Sequence, residues 1–298
     1  MNLAQSYSAC RNIVRRANSS FPLAFRLLSR SKRRSMNALY AFARLTDDIA
    51  DEPGEPSAKR AALEAWSNSL KLALSGIYSH PIHWALHDTV QRFGIPREHL
   101  FELIAGVEMD LEPIRFANFD ELRLYCRRVA GVVGLACIRI WGLKPHVTFE
   151  QAEKPAEAAG LAFQLTNILR DLGEDDARGR CYLPESEFGT ARLLPSRDVA
   201  GDDQTARQEL RAPADELCSS LEFQIERARD AYRQAAVLDD LLTNEGRAIF
   251  CVMCGTYRSL LELIAADPIA VFEKRVRVSK WRKAAIFLSA WPVKWGLR

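Results

Sequence analysis

Apolar residues recur at spacings of three and four over most of the chain, with polar residues between them. This spacing places apolar side chains on one face of a helix and therefore predicts amphipathic helices. It is clearest in five stretches: MNALYAFARL, FELIAGVEMDL, LRLYCRRVAGVVGLACIRIWG, AAGLAFQLTNILRDL and FCVMCGTYRSLLELIAA. The sequence lacks the alternation of apolar and polar positions between hairpin turns that indicates strands. The pattern predicts an all-α protein with long helices.

Two intervals interrupt the helical pattern. Residues 190–215 combine Pro, Gly and acidic residues, which predicts a surface excursion between helices rather than a boundary between domains. Residues 273–298 carry eight basic residues, three tryptophans and one acid. We therefore expect a single catalytic domain over residues 1–272, followed by a basic, tryptophan-containing tail over residues 273–298.

Composition narrows the class of protein. The chain has 298 residues, of which 48% are hydrophobic, and this is enough for a substantial core. A net charge of +3 does not indicate a nucleic-acid partner. Seven scattered cysteines and the lack of a recognisable signal peptide predict free thiols and a cytoplasmic location. The longest apolar run, residues 284–293, is about half the ~20 residues that a membrane-spanning helix needs.

Four acids crowd the end of the first predicted helix in LTDDIADEP, residues 45–53. Asp47 and Asp51 are four residues apart and share one face of a helix, with Arg44 three residues before Asp47 on the same stripe. Asp48 points about 100° away. Such a cluster is also common at solvated helix ends, so it does not establish a function by itself.

A second polar stripe occurs in QLTNILRDLGEDDARGRCYLP, residues 164–184. Gln164, Asn167, Asp171 and Asp175 follow one another at spacings of three, four and four on an otherwise apolar helix. Oxygen ligands of this kind suit Mg²⁺, which usually keeps water and substrate phosphates in its coordination sphere. The two stripes together predict a site where Mg²⁺, or alternatively Mn²⁺, binds a substrate diphosphate.

Two further features extend this hypothesis. Guanidinium groups match phosphate oxygens, and four arginines lie beside the stripes: Arg44, Arg170, Arg178 and Arg180. Between the stripes, Gly131 and Gly134 interrupt a helical run that alanine would stabilise. They indicate either close helix packing or room for a long apolar ligand, and we favour the ligand. Diphosphate sites beside an apolar trough predict a prenyl diphosphate substrate.

Three motifs carry a resemblance to a known family. The DDIAD pair, the YCRRVAGVVG stretch and the QLTNILRDLGEDDARGRCYLP stretch resemble the squalene and phytoene synthases, over residues 15 to 265. The resemblance places metal and diphosphate ligands at Asp47, Asp51, Asn167, Asp171 and Asp175, with Gln164 beside them. It places substrate-contacting or catalytic residues at Ser19, Ser20, Phe21, Arg44, Tyr125, Arg170, Tyr182 and Tyr257.

The resemblance implies a helical isoprenoid synthase fold with a central apolar cavity and a head-to-head condensation of two prenyl diphosphates. Loss of one diphosphate would give an allylic cation that the double bond of the second substrate attacks. The second motif is most similar to those of bacterial presqualene diphosphate synthases of hopanoid biosynthesis and of phytoene synthases. We expect two C15 substrates and presqualene diphosphate as the product. Phytoene from two C20 substrates, or squalene or dehydrosqualene, are the alternatives.

Other classes of protein remain competing hypotheses. A head-to-tail prenyl transferase or a terpene cyclase would share the fold, although we expect such proteins to begin with a D-D-x-x-D motif instead of this pair. An inactive assembly factor of the same family would be expected to have lost acids, and both stripes are intact. A nucleic-acid binder would need basic residues over the whole domain rather than in the tail.

Three remaining features are weaker candidates. The histidines of HPIHWALHD, residues 80–88, have a spacing that a metal can use but lack a recognised metal motif. Cys251 and Cys254 form a lone C-x-x-C and are better interpreted as buried apolar residues. The basic and indole side chains of the tail predict peripheral contact with an anionic membrane, at the inner face of the cell membrane. A solvated tail, or one that packs on the domain, is the alternative.

Overall fold

The computed structural model describes residues 2–17, 21–111, 114–187 and 214–297. Within these ranges the chain is helical and contains no strand, which confirms the all-α prediction. The polar interval 190–215 lies almost entirely outside the described residues. The α-helices are α1 (Leu3–Arg16), α2 (Phe21–Ala24), α3 (Arg30–Asp51), α4 (Pro56–Ala73), α5 (His83–Phe93), α6 (Arg97–Glu108), α7 (Phe119–Cys126), α8 (Val132–Trp141), α9 (Phe149–Ala177), α10 (Ala214–Ala235), α11 (Leu238–Leu241), α12 (Asn244–Ala266), α13 (Ala270–Glu273), α14 (Lys280–Ser289) and α15 (Trp291–Lys294).

Helix α9 is the centre of the architecture. It begins with a capping box, in which Thr148 accepts a hydrogen bond from the Gln151 amide and Gln151 Oε1 accepts one from the Thr148 amide. Along its length α9 contacts α8, α10, α12 and α13. The apolar side chains of these helices bury the sides of α9 and leave one face toward a cavity.

The run of residues from Phe119 to Trp141 is helical throughout but is not a regular α-helix. Between α7 and α8, residues Arg127–Gly131 form a π-helical turn. This wider turn presents Val129 and Ala130 to the cavity. π-Helical turns are frequent at functional sites because they shift the register of the side chains that follow.

Glycine allows α8 and α9 to approach each other closely. A Cβ atom on Gly160 would lie 2.7 Å from the carbonyl oxygen of Ala130, and one on Gly134 would lie 2.8 Å from that of Ala156. Both glycines also border the cavity, whereas Gly131 does not. The preference for a ligand-related role was therefore wrong for Gly131. Gly134 serves both alternatives, because it permits close helix packing and also borders the cavity.

Helix α12 is 23 residues long and is the one described helix that by length and composition could cross a membrane. It packs against α8, α9 and α10, and its residues Phe250, Met253 and Tyr257 line the cavity. These contacts are those of a core helix. The tail also packs on this helix, since both α14 and α15 contact α12.

The close approach of α8 and α9 generates a prediction for Gly160→Ala. Alanine favours helices by about 1 kcal/mol over glycine, but the added methyl group would overlap backbone atoms of Ala130 and Gly131. Overpacking of this kind costs about 1–3 kcal/mol, so we expect a net loss of stability. Denaturant unfolding measures it, with Glu153→Ala on the exposed side of α9 as the control. A Gly160→Ala protein as stable as wild type would contradict the packing described here.

Candidate active site

One face of α3 changes from apolar to acidic along its length. Met36, Leu39, Tyr40 and Ala43 line the cavity and are followed on the same face by Asp47. The spacing of three and four residues explains why a single helix supplies both kinds of surface. The apolar residues enclose the cavity, and the acid marks its polar end.

Helix α9 repeats this change of polarity. Ala156, Ala159 and Gly160 line the apolar part of the cavity, and Gln164 and Asn167 follow on the same face. The cavity between the helices has a volume of about 270 Å³. Of the sequence-predicted residues, those that line it are Asp47, Gln164, Asn167 and Tyr257.

The Asp47 carboxylate is accessible to solvent within the cavity, yet protein surrounds it on most sides. This enclosure, together with the negative charge of Asp51, raises the pKa of Asp47 to about 7. Burial and the neighbouring Asp171 carboxylate likewise raise the pKa of Asp175 to about 7. Each stripe therefore holds a carboxyl group whose pKa lies near neutral pH.

Asp110 connects the two stripes and was not predicted from the sequence. It lies in a 3₁₀ turn after α6, and its charge raises the pKa of both Asp47 and Asp175. Its carboxylate accepts hydrogen bonds from Tyr182 at 2.9 Å and from Tyr125 at 3.2 Å. Burial raises the pKa of Asp110 itself to about 6, against the opposing effect of these hydrogen bonds. In the sequence Asp110 is a single acid at the end of a predicted helix, and nothing in its local pattern indicated a role in the site.

The turn after α9 brings Arg180 and Tyr182 to Asp110. Gly179 adopts the left-handed conformation with φ of +73°, and the Arg180 amide donates to the Asp175 carbonyl oxygen at 2.9 Å. The Arg180 guanidinium donates to the carbonyl oxygen of Asp110 at 3.4 Å. Tyr182 is buried against Tyr125, with 5.3 Å between ring centroids. The predicted residues Tyr125, Arg180 and Tyr182 therefore meet at one acid.

Asp171 is held by arginines from two parts of the chain. Arg170 pairs with its carboxylate through Nε at 2.8 Å and also through Nη2. Arg275, which follows α13, pairs with Asp171 at 3.2 Å and with Glu174 at 3.0 Å. Arg275 belongs to the segment that the sequence assigns to the tail, so part of this segment contacts the candidate active site. Its basic side chain was predicted only as a membrane contact.

The remaining predicted residues have different surroundings. Arg44 pairs with Asp48 rather than with the acids of its own stripe. Asp51 and Arg178 are exposed. Tyr257 lies beside Phe163, with ring centroids 4.8 Å apart. Ser19 and Ser20 lie outside the described residues, as does the side chain of Phe21, whose backbone begins α2.

The oxygen ligands fit a hard cation such as Mg²⁺. The buried Oδ1 of Asn167 has no hydrogen-bond partner among the described residues, although it lies between Gln164 and Asp171 on the stripe. The described His, Cys, Asp and Glu side chains nowhere form a cluster of three that can hold a metal unaided.

The histidine segment 80–88 and the C-x-x-C pair, which were weaker candidates, have structural roles in the fold. His83 is buried against Trp66, and burial together with His80 lowers the pKa of His83 to about 4. Burial raises the pKa of the Cys254 thiol, and all seven cysteines are described without a disulfide. The prediction that the cysteines are not cross-linked is confirmed.

The all-helical fold around an apolar cavity is that of the isoprenoid synthases. The sequence profile of the family described as squalene/phytoene synthase matches residues 14–282. The chain belongs to this family, whose members are prenyl transferases. Because Asp47, Asp48 and Asp51 also fit D-D-x-x-D, the first motif did not exclude head-to-tail enzymes. The match over residues 14–282 assigns the chain to the squalene/phytoene synthase family instead.

Individual relatives agree with the family. Phytoene synthase of Mycobacterium tuberculosis is 36% identical over 290 residues, which cover 97% of this chain and 91% of that protein. Chloroplastic phytoene synthase 1 of Solanum lycopersicum is 35% identical over 283 residues; these cover 94% of this chain and 66% of the plant protein, slightly under two thirds. The crystal structure of a dehydrosqualene synthase in complex with ligand has a TM-score of 0.81 at 27% identity, covering 97% of this chain and 96% of that one.

The position of Asp110 predicts an effect of Asp110→Asn on turnover. Asparagine preserves the shape of the side chain but replaces the carboxylate whose two oxygens accept hydrogen bonds from the tyrosine hydroxyls. A hydrogen bond to a charged group contributes about 1.5–3 kcal/mol. We expect the misplaced tyrosines to raise the activation free energy by a similar amount, which corresponds to a roughly 10- to 100-fold lower kcat. Steady-state kinetics test this. Asp88→Asn, which also alters a tyrosine–aspartate hydrogen bond but away from the cavity, is the control. Near-normal kcat in Asp110→Asn would contradict the assigned position.

The raised pKa values of Asp110 and Asp175 predict how stability depends on pH. In the folded chain these carboxyls retain protons up to about pH 6 and 7, whereas in the unfolded chain they lose them near pH 4. The folded state therefore binds more protons between these limits, and metal-free protein should lose stability as pH rises from about 4 to about 7. Thermal melts should show a smaller decline for Asp175→Asn than for wild type. An equal decline in both would contradict the assignment, and exposed Asp240→Asn is the control.

Proposed function

We propose that the protein catalyses the Mg²⁺-dependent head-to-head condensation of two allylic prenyl diphosphates. The observation that supports this most strongly is the change of polarity along both α3 and α9, which puts the Asp47 carboxylate and the Gln164 and Asn167 amides in the lining of a mostly apolar cavity. A prenyl diphosphate has the same two-part character, with a charged head and a long apolar chain. Membership of the squalene/phytoene synthase family supports the reaction class.

The residues that would hold Mg²⁺ are Asp47, Asp51, Asn167, Asp171 and Asp175. When bound, Mg²⁺ neutralises the diphosphate and assists its departure as a leaving group. Arg170 and Arg180 would bind diphosphate oxygens, for which a guanidinium group is well suited. Because Arg170 is already paired with Asp171, it is positioned at the stripe before substrate arrives.

The apolar walls would protect the allylic cation that diphosphate loss creates. Exclusion of water prevents its quenching, and hydrocarbon side chains such as those of Leu39, Val133 and Ile138 offer no nucleophile. Phe163 and Tyr257 also line the cavity, and their ring centroids are 4.8 Å apart. An aromatic face attracts a cation within about 6 Å. These two rings would therefore stabilise an allylic cation that forms beside them.

We further propose geranylgeranyl diphosphate as the substrate and phytoene as the product. This rests on the curated relatives, since phytoene synthases of bacteria and plants are 36% and 35% identical to almost the whole chain. The C15 reaction that the sequence motif favoured, with presqualene diphosphate as product, is the second candidate. Its structural support is the likeness to a dehydrosqualene synthase.

Asp171→Ala and Asp47→Ala are predicted to reduce condensation below detection while leaving helical content unchanged. Each removes a carboxylate from a solvent-accessible stripe rather than an apolar contact from the core. Product analysis by mass spectrometry, together with circular dichroism, tests both expectations, and Asp240→Ala on the exposed side of α11 is the control. Chelation should stop the wild-type reaction, and added Mg²⁺ or Mn²⁺ should restore it. Near-normal turnover by either variant would contradict the proposed site.

The same assay separates the two substrates. Wild-type protein with Mg²⁺ should convert geranylgeranyl diphosphate to phytoene with a higher kcat/KM than it shows for farnesyl diphosphate. A preference for farnesyl diphosphate would refute the C20 proposal and leave the head-to-head reaction intact. Absence of any head-to-head product from either substrate would refute the reaction itself.

A further inference from the structure

The end of the chain forms a two-helix layer on the outside of the fold, composed of α14 and α15. Its inner side is well packed, because Ala290 and Val293 are buried. At Gly255 of α12 an added Cβ atom would lie 2.9 Å from Ile286 Cγ2, so α14 sits tightly on that helix. The layer therefore has a fixed orientation, and its outer side is a defined surface.

The outer side carries large apolar side chains in solvent. Trp281 is 87% exposed, Leu297 79%, Leu288 67% and Trp295 63%, and Trp291 is also exposed. These five are concentrated in a short segment, whereas the other exposed large apolar residues of the described chain are scattered over residues 23–263. The remaining tryptophans, Trp66, Trp84 and Trp141, are buried or half-buried. Such a concentration of exposed apolar side chains in one segment indicates a site of interaction.

Basic side chains accompany these residues. Lys280 and Arg282 flank Trp281 and are exposed, and Lys274 and Arg277 precede them. Lys294 lies 5.8 Å from the Trp291 ring and 5.6 Å from the Trp295 ring, so a charge and two indoles form one group. Glu273 is the single acid from residue 273 onward. We call Trp281, Leu288, Trp291, Trp295 and Leu297, with Lys280, Arg282 and Lys294, the C-terminal face.

The C-terminal face lies close to the candidate active site. Phe250, Met253 and Tyr257 of α12 line the cavity, whereas Gly255 contacts α14. At about 100° per residue, Gly255 is on the opposite side of α12 from the cavity-lining residues. One helix thickness therefore separates the cavity from the layer that bears the C-terminal face.

We infer that the C-terminal face docks on an anionic lipid bilayer. Indole rings favour the interface between headgroups and acyl chains, and lysine and arginine are attracted to anionic headgroups. The layer has no stretch long enough to span a bilayer, since α14 has ten residues and α15 has four. Its chemistry is that of a peripheral contact, with apolar side chains in the interface and basic side chains at the headgroups.

Docking on a bilayer would suit an enzyme that releases a hydrocarbon. This part rests on the proposed function, because only an apolar product needs a lipid phase to receive it. Lipid docking itself does not depend on turnover. A protein that binds vesicles without prenyl condensation would therefore contradict the proposed function and leave this inference standing.

Point substitutions test the surface better than removal of the tail, because the tail also supplies Arg275 to Asp171 and buried Val278 to the core. Full-length protein is mixed with vesicles of phosphatidylcholine alone or with added phosphatidylserine, and bound protein is measured by flotation. We expect binding to the phosphatidylserine vesicles at low salt and partial release at high salt, since salt screens the attraction.

Two variants separate the contributions. W281S combined with W295S removes the indoles, and K280E combined with R282E reverses two charges. Each pair should lower vesicle partition roughly ten-fold or more. The controls are I77S with V237S, which change exposed apolar residues elsewhere, and K71E with K154E, which reverse exposed charges elsewhere. All four proteins should retain activity on detergent-dispersed substrate to within roughly two-fold.

Several outcomes would overturn the inference. They are equal vesicle binding by wild type and both C-terminal-face variants, no binding of wild type to either kind of vesicle, and an equal loss in the control pairs. Light scattering that shows dimers of wild type but monomers of the W281S/W295S protein would assign the face to a second copy of the chain. Retention of wild type on nucleic acid with no vesicle binding would assign it to that partner instead.

Discussion

Mutual repulsion of carboxylates at one end of an apolar cavity is the constraint on which the rest of the structure depends. The charge of Asp51 raises the pKa of Asp47 and of Asp110, and the charge of Asp110 raises the pKa of Asp47 and of Asp175. Neutralisation is therefore required, and the metal-free chain supplies it by retained protons, by tyrosine hydroxyls on Asp110 and by arginines on Asp171. In the proposed function a divalent cation would replace these protons, which would link metal binding to pH.

The surrounding fold holds these groups in place against their repulsion. Small residues on α8 and α9 let the helices approach to backbone contact, so the cavity-lining face of α9 is held rigidly. The π-helical turn before α8 adds Val129 and Ala130 to the apolar wall. Packing energy distributed along long helices thus offsets local electrostatic cost, as it does in many active sites. The same helices supply both the apolar lining of the cavity and its polar residues.

Sequence reasoning was most successful where a single helix carries the information. The periodicity that predicted an all-α fold also put Asp47 and Asn167 on the faces that line the cavity. It could not reveal Asp110, because the importance of that acid comes from tertiary contacts with Tyr125 and Tyr182 rather than from spacing. The role of Arg275 in the site was not predicted, for a related reason. Its partner Asp171 is about a hundred positions earlier in the chain, and local composition indicated only a basic tail.

The central claim is that both acidic stripes serve one diphosphate through shared cations. Crystals of the full chain grown with Mn²⁺ and inorganic diphosphate would test it through anomalous scattering from manganese. We predict manganese bound between the diphosphate and carboxylates of both stripes, with Asn167 Oδ1 as a further ligand. Manganese and diphosphate bound away from Asp47 and Asp171, or held by one stripe while the other stays paired only with arginines, would contradict the account.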